Sequence, residues 1–402
     1  MKKFFLIAAS AMMVLASCTK VVINYPEDAQ PQEIAMFAVN KSATKAPVAD
    51  ENFPADYEMK VAAHLASGDL TENGHGDYFD GTLFRPVNQN ETGDPSYLWT
   101  GGKYWPVSES TINFLAVAMQ PSENSSYTGK VETVEFGEKE GEATKNFTKQ
   151  AVVKFETNQT TETNYNQFDL MFAAGQGHHE EGEGYNKVEM IFKHALSWIN
   201  FTVATNVKNT SANDHTYKMT VNSIRLSGAS YGGTMTLALG KEINDDEDEV
   251  DIKIEDANET SDYTCTWTNQ ASNVVENVYV PGEVTNDNVV TVSKATAVDG
   301  LAEYEATAKP FGIGLLVVPV NYLGVEDDYR PTITIEYTMN QGGGDYTFER
   351  TIEIPKINWE YNKKYTYALT ITLNEIKVDP KVEKWDDTDE KGTENDTTDD
   401  VN

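Results

Sequence analysis

The stretch "GHHEEGEG" (177–184) sets His178, His179, Glu180 and Glu181 side by side, four residues of types that hold metal ions. Adjacent residues on an extended chain point to opposite sides, and no Cys or further His lies nearby in sequence. A solvated loop is the simpler reading. "NDDEDEVD" (244–251) has the charge of a calcium loop but lacks its ligand spacing and its turn glycine. Exposed loop acids are the default there, with adventitious calcium the alternative. His194, in the strand-like "IFKHALSW", reads as a packed or hydrogen-bonded structural histidine rather than a base. Cys265, in "YTCTWTN", alternates with Tyr263 and Trp267 and reads as buried and inert. The sequence has no P-loop or H-E-x-x-H motif. With 64 acidic residues, chance carboxylate pairs are inevitable and do not argue for glycoside hydrolysis. The expectation is a protein that is not an enzyme, with no metal and no cofactor.

One residue does carry a covalent expectation. Lys2 and Lys3 form a positive n-region, and Phe4 to Leu15 an apolar stretch of the length of a secretory signal. It ends in Leu15-Ala16-Ser17-Cys18, which resembles the bacterial lipobox. The Cys18 thiol would then be joined to diacylglycerol, and cleavage before it would make Cys18 the first mature residue. The plainer alternative is an ordinary secretory signal with Cys18 a bystander. No later stretch approaches the roughly 18 apolar residues of a membrane span. The chain is expected to be held to a membrane by its lipid alone.

Charge and composition narrow the class. Lys plus Arg number 31 against 64 Asp plus Glu among 402 residues, a net charge of −33. Such a surface repels phosphate backbones and excludes nucleic acid as a partner. With Cys18 committed to lipid, Cys265 is the only cysteine left, so no intrachain disulfide is available. Stability must come from packed cores. Length alone suggests two or three domains.

Period-two alternation is the dominant pattern. In "PTITIEYTM" (331–339), Ile333, Ile335, Tyr337 and Met339 share one face and threonines and Glu336 the other. "QGGGD" and "YTFERTIEI" follow, which predicts a hairpin. "KYTYALTITLNEIKV" (364–378) reads as one long strand with Tyr365, Tyr367, Leu369, Ile371 and Leu373 on one face. Further strands are expected at 110–119, 150–157, 187–192, 195–205, 218–228, 233–239 and 289–298. "IGLLVVPV" (313–320) is apolar on both faces and is expected in the middle of a sandwich. Many short strands punctuated by Gly, Asn, Asp and Pro indicate an all-β protein of sandwich type. The polar run 206–215 is the expected seam between two strand-rich halves. Residues 386–402, with eight acids and almost nothing to bury, are expected to be disordered.

Three ordered segments together resemble the fimbrillin family, the pilus subunits of Bacteroidetes. They are "YWPVSESTINFLAVAMQP" (104–121); "FDLMFAAGQG" (168–177) with "VEMIFKHALSWINFTVAT" (188–205), which carries Phe192, His194, Ala195 and Leu196; and "LLVVPV" (315–320) with "WEYNKKYTYALTITL" (359–373) and Trp385. The resemblance implies two tandem β-sandwich domains of transthyretin-like topology. It divides the chain into a signal peptide (1–17), an N-terminal pro-segment with a removable strand (18–45), an N-terminal sandwich (46–206), a C-terminal sandwich (207–385) and the acidic tail (386–402).

The resemblance also implies a maturation step. Fimbrillins carry a basic residue where a trypsin-like protease removes the N-terminal segment, and the matching residues in "SATKAP" are Lys45 and Ala46. Loss of that segment opens a groove that a strand from a neighbouring subunit fills, with backbone bonds giving affinity and alternate side chains giving register. The expected donor is the C-terminal stretch through Ile376, Val378, Val382 and Trp385, broken in two by Pro380. The competing reading makes this stretch the last strand of its own domain. Expected partners are other pilus subunits, the outer membrane through lipid on Cys18, the maturation protease and a host or bacterial surface ligand. The alternative is a monomeric surface lipoprotein that binds glycans through loop aromatics Tyr78, Phe79, Tyr97, Trp99 and Trp105.

Overall fold

The computed structural model describes residues 32–40, 57–67, 77–87, 98–106, 110–119, 130–138, 149–156, 169–179, 188–209, 218–239, 263–268, 274–281, 289–291, 302–305, 308–321, 330–340, 344–355, 357–372 and 375–384. Among them the regular structure is all β-strand, as a chain rich in Thr, Val and aromatic residues favours. The first nine strands are β1 (Glu33–Asn40), β2 (Glu58–Ser67), β3 (Asp77–Val87), β4 (Leu98–Tyr104), β5 (Ser110–Met119), β6 (Lys130–Glu138), β7 (Lys149–Glu156), β8 (Met171–His179) and β9 (Val188–His194). Next come β10 (Ser197–Asn209), β11 (Lys218–Ser227), β12 (Ala229–Ser230), β13 (Gly232–Leu239), β14 (Tyr263–Thr268), β15 (Val274–Val275), β16 (Val278–Tyr279) and β17 (Val289–Thr291). The last six are β18 (Ala302–Glu305), β19 (Lys309–Val317), β20 (Thr332–Asn340), β21 (Asp345–Glu353), β22 (Lys363–Ile371) and β23 (Ile376–Lys384).

The N-terminal strands close into a barrel in the order β1-β4-β3-β2-β5-β8-β9. Every neighbouring pair is antiparallel except β9 with β1, which run parallel and seal the ring. Alternate residues of the strands fill it: Ile34 and Met36 from β1, Met59 and Val61 from β2, Ile112, Phe114 and Ala116 from β5, Met171 and Ala173 from β8. Trp99 and Trp105 are buried in the same core. Gly177 makes room for Trp105, since a Cβ there would stand 2.5 Å from the indole ring.

The residues between these positions face outward and are buried too. Leu115, Val117, Phe172 and Ala174 meet Phe155, Met235, Leu237 and Cys265 from a second sheet, ordered β14-β13-β7-β6. That explains why "STINFLAVAM" is apolar on both faces: it is the wall between two cores. A third core lies between the sheet of β18, β10, β22 and β23, with β19 beside β10, and the sheet of β16, β11, β20 and β21, with β17 beside β11. The alternating positions of β20 and β22 point into it, and Ile333, Ile335, Tyr367 and Leu369 are at most 1% exposed. The all-β reading and the β20–β21 hairpin are what the structure contains.

Several local expectations are corrected. The long strand expected over 364–378 ends at Ile371 and reverses. Thr372 N–H donates to the Glu375 carbonyl at 2.9 Å and Glu375 N–H to Thr372 Oγ1 at 3.0 Å, which closes a tight turn. β23 then runs unbroken through Pro380, opposite Tyr367. A proline is tolerated there because β23 lies at a sheet edge, where a missing N–H need not cost a ladder bond. The first four residues of the polar run 206–215 belong to β10, and β7 pairs with β13 over eight residues. One strand from each side of that run thus lies in the same sheet.

Candidate functional site

β1 is held on both edges. Along β4 it pairs Ala35 with Thr100, Met36 with Trp99 and Phe37 with Leu98. Along β9 it pairs Met36 with Val188, Phe37 with Glu189 and Ala38 with Met190, continuing to Asn40 with Phe192. Its alternation is what a barrel wall needs: Ile34 and Met36 are fully buried, while Glu33, Ala35 and Phe37 between them are half-buried. Two bonds extend the clasp at its start. Trp105 N–H donates to the Gln32 carbonyl at 2.8 Å, and Gly102 N–H donates to the Glu33 carboxylate at 3.0 Å. Without β1, β4 keeps three pairs with β3, at Arg85, Pro86 and Val87. The barrel would then present two strand edges flanking an apolar trough, the arrangement most prone to pairing with another chain.

β23 is placed differently. Among the described residues it has one partner strand, β22, and lies at the edge of its sheet. Ile376 and Val378 pack half-buried on the third core, and Val382 is 46% exposed. These three residues thus stand on one edge strand of their own chain. Cys18, Lys45, Ala46 and Trp385 lie outside the described residues. Lys45 follows the end of β1 at Asn40 by five positions in the sequence.

The other candidates fall into place as structure. His178 and His179 end β8 rather than forming a loop, and His178 Nδ1 is 2.9 Å from Thr111 Oγ1. Among the described residues no three His, Cys, Asp or Glu side chains converge as a metal site. His194 is buried, with Nδ1 3.0 Å from the carboxylate of Asp169, itself 1% exposed. Its backbone N–H donates to Asn362 Oδ1 at 3.3 Å, and that bond ties the end of β9 to the turn before β22. Sequence reasoning reached His194 but not Asp169, whose partner lies 25 residues away. Cys265 is buried beside Leu237, and burial pushes its thiol pKa well up, which keeps it protonated and unreactive.

Three of the aromatics expected as a glycan platform are buried. Phe79, Trp99 and Trp105 are 7%, 0% and 1% exposed and belong to the barrel core. Tyr78 is half-buried, and its hydroxyl donates to the Tyr104 carbonyl. Tyr97 lies outside the described residues. Stacking on sugar rings needs an open aromatic face, which Phe79, Trp99 and Trp105 do not offer.

A family model described as fimbrillin-like matches residues 44–385, beginning beyond the end of β1. No curated protein matches the chain. Among solved structures, a fimbrial protein from Bacteroides vulgatus is similar at 14% identity and a TM-score of 0.47, over 87% of this chain and 99% of that one. A proposed cell adhesion protein from Bacteroides uniformis is similar at 14% identity and a TM-score of 0.34, over 90% and 100%. Another from Bacteroides ovatus is similar at 12% identity and a TM-score of 0.37, over 89% and 99%.

Proposed function

The chain belongs to the fimbrillin-like family, and we propose that it serves at the cell surface as a polymerising fimbrial subunit that loses β1 and takes a neighbour's strand in its place. Membership supports a structural, adhesive role rather than a catalytic one. Lipid on Cys18 delivers the precursor to the outer membrane. A trypsin-like protease then hydrolyses the Lys45–Ala46 bond, leaving a carboxylate on Lys45 and a new amine on Ala46.

The observation that carries this reading is the position of β1. Among the described residues it is the one strand of the barrel that precedes Lys45, and it fills the place between β4 and β9. Burying Ile34 and Met36 there is worth about 1.5–3 kcal/mol each, and a replacement strand recovers a similar gain. β23 fits as that replacement because of what it leaves and what it gains. At home it has one paired edge and half-buried side chains, whereas the slot offers two edges and full burial. Ile376 and Val378 repeat the i, i+2 spacing of Ile34 and Met36.

The test is assembly on the cell surface with and without the basic residue. Wild-type chain gives a ladder of multimers on unheated gels, and Lys45→Gln gives monomer only. A full ladder from Lys45→Gln would contradict cleavage at this site.

A further inference from the structure

β21 closes one side of the sheet ordered β16-β11-β20-β21, and among the described residues its outer edge has no partner strand. It pairs with β20 without irregularity, from Asp345 opposite Asn340 to Glu353 opposite Thr332. Exposed edges are usually blunted. β23 carries Pro380, and β6 is broken by an irregularity between Val131 and Val134. β21, "DYTFERTIE", has neither device. Tyr346, Phe348, Arg350 and Ile352 lie opposite Met339, Tyr337, Ile335 and Ile333, and so stand on the side of the sheet that bears the third core. They run past the end of that core: Phe348 and Ile352 are half-buried and Tyr346 is 54% exposed. The Phe348 ring stacks on Tyr337 with centroids 5.4 Å apart. The other side of β21 carries Asp345, Glu349 and Glu353, of which Glu349 pairs with Arg225 and Glu353 with Arg330.

We propose that β21 is the docking edge for β21 of a second copy of this chain, antiparallel and centred on Phe348. Two identical strands joined in this way are related by a two-fold axis perpendicular to the sheet, so opposite residues lie on the same side. The register is therefore centred on one residue, and charge decides which. Centred on Thr347, the strands set Asp345 against Glu349. Centred on Glu349, they set that residue against its own copy and Asp345 against Glu353. Arg350 at the centre meets its own copy, and Thr351 at the centre puts Glu349 against Glu353. Like charges directly opposite are destabilising. Of the registers centred on residues 347 to 351, the one at Phe348 alone avoids them. There Phe348 meets its copy, Tyr346 meets Arg350, Thr347 meets Glu349 and Asp345 meets Thr351, each across the two chains. The Tyr346 ring offers its face to the guanidinium, and the two Phe348 rings cover each other where the core runs out. Backbone bonds between the edges supply the rest. Such a contact is isologous and closes with two copies. β21 takes no part in the cut or the exchange proposed above, so this pairing joins two subunits side by side and stands apart from polymerisation.

The test reads association and register in the full chain carrying Cys18→Ser, where buried Cys265 is the one native thiol. Sedimentation velocity should show dimer at concentrations up to about 0.1 mM. Single cysteines are then placed along β21 and oxidised with diamide. Phe348→Cys should give a disulfide-linked dimer, because opposite Cα atoms on paired strands lie within disulfide reach. Thr347→Cys alone should give none, whereas Thr347→Cys mixed with Glu349→Cys should crosslink. Both of these positions are exposed, so they read the register even if Phe348→Cys fails to fold. Arg350→Gln should weaken the dimer about fivefold or more, and Arg350→Lys, which keeps the cation, should weaken it less. A chain that stays monomeric across that concentration range would overturn the inference. So would a crosslink that forms as readily from Glu349→Cys alone as from the mixed pair, since the register would then be centred elsewhere.

Discussion

Met36 of β1 and Val188 of β9 face each other in the parallel pair that closes the barrel. Met36 is also opposite Trp99 on β4 and has no exposed surface. One side chain thus packs where three strands meet, and the ring owes its closure to a strand that enters from the N-terminal end. Truncating it should be felt throughout the barrel. Met36→Ala is expected to cost about 2–5 kcal/mol, read as a lower urea midpoint of Trp fluorescence. Val382→Ala, at an exposed edge position, should change stability by no more than about 0.5 kcal/mol.

The His194–Asp169 pair should behave as a unit. Both side chains are essentially fully buried, 3.0 Å apart, at the corner where β9 gives way to β10. Removing either one strands a polar group in the core, at a cost of about 2–5 kcal/mol. The double variant His194→Ala/Asp169→Ala should cost clearly less than the two single losses added, as a double-mutant cycle by denaturation will show. Additive losses would mean that the two groups are not coupled.

Stability should fall in alkali. Burial raises the Tyr365 phenol to about 12, and Tyr231 and Tyr367 are pushed further up by the same cause. A phenol is neutral when protonated, so the folded form holds its protons above pH 10 while the unfolded chain gives them up. The contribution is fully present below about pH 10 and is lost as pH rises toward 12. Unfolding midpoints should drop across that window, and phenolate absorbance should appear with unfolding rather than before it. Tyr367→Phe should also cost about 1 kcal/mol through loss of the bond from Trp359 Nε1.

Donation by β23 should be separable from folding. Val378→Asp puts a charge on the face that would enter a neighbour's barrel, where nothing compensates it. In its own chain Val378 is only half-buried at an edge, so the monomer should fold with a modest loss. The expected outcome is folded monomer by circular dichroism and no ladder on unheated gels. A ladder of normal length would remove β23 as the donor.

Much of this architecture was legible because alternation marks a strand that separates core from solvent. β20 and β22 show it cleanly, and their apolar positions are the buried ones. β4 was hidden, since "LWTGGKY" contains two glycines and buries one residue, Trp99, outright. That made Trp99 look like a loop aromatic. The turn at Thr372 was hidden for the opposite reason, because apolar alternation ran across it and gave no sign of reversal. Pairings between distant segments leave no local trace at all. β7 with β13, Asp169 with His194, and the parallel join of β1 to β9 depend on long-range packing, which spacing along the chain does not encode.

The most direct test of the account is the N-terminus of subunits in assembled surface fibres, read by sequencing and intact mass. The account predicts chains that begin at Ala46, with Cys18, its lipid and β1 gone from every subunit within the fibre. Fibres built of subunits that begin at lipidated Cys18 and still carry residues 33–40 would contradict it.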